Sequence, residues 1–266
     1  MKGKPKSKWR RVLWLLLAVV VALLVKFILH LLLPRNVAAS GEMLHLNLAG
    51  GPFDVPCFTN GQPPIGIVIV GTGDGGWSYW EENTAKHLME KGYAVGGWDC
   101  RKFADTRKYG QKELEEGFNA AVAAVIKRTH SDDDIPVWYG GWSTGAEQSV
   151  AAATSPDRPE NLVGLLLAAP GTHARYGITT GDLLGADPSG PDTFALEDMA
   201  KKLSGVAVAQ FAAGLDPMDD TDWIERISVP HRIFKLPGKP HDMGGAGPDF
   251  QAKLDEAIAW TLETRR

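Results

Sequence analysis

Cysteine is scarce in this chain: Cys57 and Cys100 are the only two among 266 residues. That is too few for a disulfide-stapled scaffold or a cysteine zinc site, and one bridge is the most they can form. Positive charge is scarce too over most of the length. Residues 1–35 carry eight Lys or Arg and no acid, which leaves 20 basic against 32 acidic residues beyond them, a net charge of −12. This balance argues against a nucleic-acid partner, which needs clustered basic side chains. An acidic domain attracts cationic ligands, although such a surface also serves plain solubility. There is no internal repeat, no low-complexity block, and no metal-ligand or cofactor-binding constellation.

Long hydrophobic runs are likewise missing, with one exception. Val12 to Leu33 is apolar except for Lys26 and His30, and six Lys or Arg precede it within residues 1–11. Such a run is long enough to span a bilayer as a helix, with its basic flank held in the cytoplasm. The pattern predicts a cytoplasmic segment over 1–11, a transmembrane signal anchor over 12–33, a linker over 34–42 and an exported domain over 43–266. A cleaved secretory signal is the alternative, because Val37-Ala38-Ala39 before Ser40 resembles a signal-peptidase site. Both readings export the domain.

Within the domain, 43–48 and 54–59 alternate around Gly50-Gly51-Pro52 as a β-hairpin, and 65–70 is a β-branched run of the kind buried on both faces. Helix 78–91, strand 94–98 and helix 113–128 follow. The short apolar run 135–139 leads into Gly141-Trp142-Ser143-Thr144-Gly145 and a helix over 144–154. Strands 163–168, 206–212 and 232–236 and a helix over 249–264 complete the chain. Alternating strands and helices imply a mainly parallel central sheet with helices on both faces. A GxSxG between strand and helix marks the nucleophile elbow of an α/β-hydrolase, whose flanking glycines let the serine occupy a sharp turn. The connection 171–204, rich in Gly, Pro, Asp and Thr with a helix near 196–203, is then a lid-like insertion.

A serine nucleophile needs a histidine to take its proton and an acid to orient that histidine, in the chain order serine, acid, histidine. His231 and His241 lie late enough. His231 opens a strand, whereas His241 follows the turn Pro237-Gly238-Lys239-Pro240, so His241 is the candidate base. Asp216, just past strand 206–212, is the candidate acid, with Asp219 as the alternative and Asp220 in the same loop. The oxyanion donors fall to the NH of Thr144 and to Gly73 or Asp74 in the loop Gly71-Thr72-Gly73-Asp74-Gly75-Gly76-Trp77. That loop fits neither dinucleotide nor Walker spacing.

Three strings, Gly73-Asp74-Gly75-Gly76-Trp77, Gly97-Trp98-Asp99 and Gly141-Trp142-Ser143-Thr144-Gly145-Ala146-Glu147, together resemble the VirJ/AcvB family of bacterial virulence proteins. The likeness runs from about residue 65 to the C-terminus. It departs after Asp99, where Cys100-Arg101-Lys102-Phe103 replaces the usual aromatic cluster. The resemblance implies a periplasmic serine hydrolase that removes lysine from lysyl-phosphatidylglycerol, with Ser143 as nucleophile and His241 as base. It implies an inner-membrane location, an aminoacylated phospholipid as partner and an association with a secretion system. Candidate substrate contacts are Trp77, Asp99, Glu147 and His173, with structural loop bonds as the competing role for Asp74 and Asp99. An esterase or thioesterase of other specificity, or a non-catalytic periplasmic factor, are the rival readings. In this fold strand 54–59 runs beside strand 94–98, which brings Cys57 towards Cys100 and leaves a disulfide between them open.

Overall fold

The computed structural model describes residues 6–32 and 36–265 apart from Met218, with the side chains of the N-terminal helix described over residues 12–25. It comprises two units, Met1–Arg35 and Asn36–Arg266. The first holds α1 (Lys6–Leu32), and its described side chains are exposed. Among the described residues no helix is long and apolar enough to cross a membrane. The expected span 12–33 reaches beyond them: Leu33, and the side chains of 26–32, lie outside the described residues, as do residues 1–5 of the basic segment and 34–35 of the linker.

The second unit opens with the hairpin β1 (Glu42–Leu48) and β2 (Gly51–Phe58), then runs β3 (Ile67–Gly71), α2 (Tyr79–Glu90), β4 (Ala94–Trp98), α3 (Cys100–Thr106), α4 (Gln111–Thr129), β5 (Val137–Trp142), α5 (Thr144–Ala153) and β6 (Leu162–Ala168). An insertion follows, built from β7 (His173–Arg175), α6 (Thr180–Leu183), β8 (Thr193–Ala195) and α7 (Leu196–Ala200). The chain ends with β9 (Ala207–Ala213), β10 (His231–Leu236), α8 (Met243–Ala246) and α9 (Pro248–Thr264). Eight strands form one sheet in the order β1-β2-β4-β3-β5-β6-β9-β10, parallel from β4 to β10 and antiparallel at β1 and β2. This is the mainly parallel α/β sheet the alternating pattern predicts.

Strand side chains alternate between two apolar layers, as the period of two requires. Ile67, Ile69, Leu165 and Leu167 join Phe103, Phe118 and Val150 from α3, α4 and α5 on one face. Val68, Val70 and Leu166 join Trp80, Leu88, Phe250 and Leu254 from α2 and α9 on the other. Burial on both faces explains why these strands read as unbroken apolar runs. α2 begins at a reciprocal capping box in which Ser78 accepts from Trp80 N and Glu81 accepts from Ser78 N at 2.8 Å.

Cys57 and Cys100 are buried free thiols. Cys57 sits in register with Gly96, whereas Cys100 starts α3 beyond the end of β4. Burial pushes the Cys57 thiol up to about 11 and raises that of Cys100.

Candidate active site

Parallel α/β sheets gather their functional loops at the carboxyl ends of the strands. Here the loops after β3, β5, β6, β9 and β10 meet there, and with the insertion after β6 they line an open cavity of about 600 Å³. Asp74, Ser143, Thr144, Glu147, His173 and His241 all line it.

Ser143 links β5 to α5 with φ 52° and ψ −120°. A non-glycine residue at positive φ costs on the order of 1–3 kcal/mol and persists only where its surroundings enforce it. Ser143 N donates to Ala168 O of the neighbouring strand at 2.9 Å. The turn also presses α5 against the end of β3, because a Cβ on Gly71 would sit 2.8 Å from Gly145 Cα, and one on Gly145 would run into the Gly71 backbone. The glycines of GxSxG therefore answer to a second glycine on another strand. Thr144 starts α5, so its NH belongs to the helix turn that has no intrahelical acceptor.

His241 Nδ1 lies 2.6 Å from Asp216 Oδ2. Their loops are stitched together by Gly214 N to Leu236 O at 3.0 Å and Leu215 N to Lys239 O at 2.9 Å. A carboxylate can only accept, so this contact assigns the Nδ1–H tautomer to a neutral His241 and leaves Nε2 as the basic nitrogen. Asp219 points elsewhere: its oxygens accept from Ala213 N at 2.6 Å and Gln210 Nε2 at 3.0 Å, closing the end of β9. Asp220 lines the cavity, and His231 bonds Val229 O at 3.0 Å away from it.

The glycine loop after β3 separates its two candidate donors. Gly73 N is directed to the buried Glu81 Oε1 at 3.3 Å, which takes it out of the role of oxyanion donor. Asp74 is the residue of that pair at the cavity wall. Burial drives the Glu81 carboxyl up to about 7 despite bonds from Ser78 and Gly73.

Two expected substrate contacts are placed in the framework instead. Trp77 is buried, stacked on Phe58 at 5.8 Å, and donates its indole NH to Glu82 at 3.0 Å. Asp99 caps α3, accepting from Lys102 N at 2.9 Å and Trp77 N at 3.4 Å. Glu147 and His173 do reach the cavity. Sequence reasoning passed over Trp142, whose indole NH donates to His241 O at 2.9 Å while its ring lies 5.3 Å from the imidazole. It also passed over Arg175 and Asp182 of the insertion, paired at 3.3 Å on the cavity wall. The Ser78-x-x-Glu81 string was a legible signal for Glu81; nothing in the sequence marked Arg175.

The family model described as Bacterial virulence protein (VirJ) matches residues 66–242, a span that takes in the glycine loop, the elbow, Asp216 and His241. The chain belongs to the VirJ family. Among curated proteins none matches this VirJ-family chain. Its fold is that of α/β-hydrolases. The α/β hydrolase GrgF from Penicillium sp. sh18 is similar at TM-score 0.62 and 11% identity, covering 84% of this chain and 98% of that one. A putative dienelactone hydrolase from Klebsiella pneumoniae subsp. pneumoniae MGH 78578 is similar at TM-score 0.59 and 16% identity, covering 83% and 97%. An alpha-beta serine hydrolase homologue from Coxiella burnetii is similar at TM-score 0.55 and 16% identity, covering 86% and 100%.

Proposed function

We propose that this VirJ-family chain is a serine hydrolase that cleaves the aminoacyl ester of lysyl-phosphatidylglycerol. The observation that carries the reading is the Asp216–His241 pair, whose histidine lines the same cavity as a serine held at positive φ. Ser143 Oγ attacks the ester carbonyl as His241 Nε2 takes its proton, and Asp216 holds the imidazolium through Nδ1. The negative oxygen is met by the NH groups of Thr144 and Asp74. His241 then returns the proton to the departing alkoxide, leaving an acyl-serine that water hydrolyses by the same exchange, restoring Ser143 and releasing the amino acid. No metal or cofactor enters the scheme.

Acidic cavity residues support a cationic acyl group, and the basic, apolar N-terminus supports an inner-membrane anchor with the domain in the periplasm, next to lipid head groups. Association with a secretion system is part of the same proposal and rests on family membership.

The test is release of lysine from lysyl-phosphatidylglycerol vesicles by the full chain. Wild type releases lysine, and Ser143→Ala, folded by circular dichroism, releases none. Undiminished release by Ser143→Ala ends the proposal. Hydrolysis of simple esters without lysine release replaces it by an esterase of other specificity.

A further inference from the structure

Ser143 caps the start of α5 and Glu147 lies on its first turn, and the second of them has no part in the acyl-transfer scheme. Glu147 is 7% exposed, yet it lines the cavity. One of its oxygens, Oε1, accepts from Gly171 N at the root of the insertion at 2.9 Å. The other, Oε2, has no hydrogen-bond partner among the described residues. A largely buried carboxylate at a pocket wall, with one oxygen free to accept, is placed to take a donor from a bound ligand.

Its surroundings specify the donor's charge. Asp74 and Asp182 lie within electrostatic reach of Glu147 and line the same cavity. Among the described lining residues Arg175 is the one Lys or Arg, and it is spent on Asp182 at 3.3 Å and on Ser189 O at 2.9 Å. Glu147 is left without a cation, whereas Asp74 has Arg101 within electrostatic reach. Burial first, then the like charges of Asp74 and Asp182, push the Glu147 carboxyl up to about 7 against the Gly171 bond. An ammonium group seated there offsets the like charges and donates to the open oxygen, which favours the ionised carboxylate.

We infer that Glu147, seconded by Asp74, is the specificity residue of the cavity and binds an ammonium group carried along the acyl chain of the substrate. One helical turn is about 5.4 Å of rise, so Glu147 suits an amine some bonds removed from the ester carbonyl rather than one beside it. The inference rests on the hydrolase reading and sharpens it to one side chain.

The experiment compares two nitrophenyl esters of one length, lysyl and norleucyl, which differ in the terminal ammonium. Wild type is measured first and needs no variant: kcat/KM for the lysyl ester exceeds that for the norleucyl ester about tenfold or more. Glu147→Gln keeps an oxygen for Gly171 N and removes the charge, and it brings that ratio to within about threefold of one. Equal rates on both esters in the wild type overturn the inference and leave the hydrolase reading intact. A preference that survives in Glu147→Gln overturns the assignment to Glu147. Failure of the wild type to cleave either ester removes the hydrolase reading, and the inference with it.

Discussion

His241 Nδ1 stands 2.6 Å from Oδ2 of Asp216, whose side chain is 3% exposed while the imidazole is 37% exposed. The buried partner fixes the ring, and the exposed ring keeps its other nitrogen accessible from the cavity. Asp219, three residues on, bonds Ala213 N and Gln210 instead. The two aspartates therefore separate in experiment. Asp216→Asn presents an amide NH to Nδ1, selects the other tautomer and lowers kcat on a chromogenic ester by about 10³–10⁴ with the fold retained. Asp219→Asn loses one acceptor at the end of β9 and costs about 1–3 kcal/mol of stability in a urea melt. A larger kcat loss in Asp219→Asn than in Asp216→Asn contradicts the assignment.

Trp142 ties the base to the elbow. Its indole NH reaches His241 O at 2.9 Å, and its ring stacks on Trp80 at 6.0 Å. Trp142→Phe keeps an aromatic ring and removes the hydrogen bond that holds the His241 loop. A net bond of about 1 kcal/mol corresponds to a fall in kcat of about fivefold to tenfold. Steady-state kinetics on the norleucyl ester read it, and an unchanged kcat shows that the loop is held by other contacts.

Stability should depend on pH through Glu147. Its folded carboxyl lies at about 7, against an ordinary 4.5. A carboxyl raised by folding keeps its proton where the unfolded chain has lost it, so stability falls as pH rises from about 4.5 to about 7 and stays low above that. The span corresponds to at most about 3 kcal/mol. Glu81, also raised to about 7, adds a slope of the same sign. Between pH 5 and pH 8 the Tm of Glu147→Gln therefore falls less than that of the wild type. Parallel Tm curves contradict it.

Much of this fold could be read in the residues. The runs at 67–70, 94–98 and 163–168 are buried on both faces, and such strands announce themselves without periodicity, although the first of them is expected two residues early, from the exposed Ile65. α3 did not, because its seven residues place only Cys100 and Phe103 in the core. The two-stranded sheet in the insertion has three-residue strands, below what alternation can signal. At the site, Ser143, Asp216 and His241 were legible because they lie in fixed order on punctuated loops. The choice between Gly73 and Asp74 was not, since it turns on Glu81 reaching back eight residues to take the Gly73 NH. Trp77 misled because its glycine loop looks like a surface motif, whereas its ring is buried against Phe58 and its indole NH goes to Glu82. Asp99 takes the structural loop role that competed with substrate contact.

Labelling by a fluorophosphonate probe shows whether Ser143 is an activated nucleophile and needs no knowledge of the substrate. One adduct is expected on the folded wild-type chain, located at Ser143 by peptide mass, with no adduct on Ser143→Ala and labelling slowed about a hundredfold or more in His241→Ala. A folded wild-type chain that stays unlabelled, or a label that persists in Ser143→Ala, contradicts it.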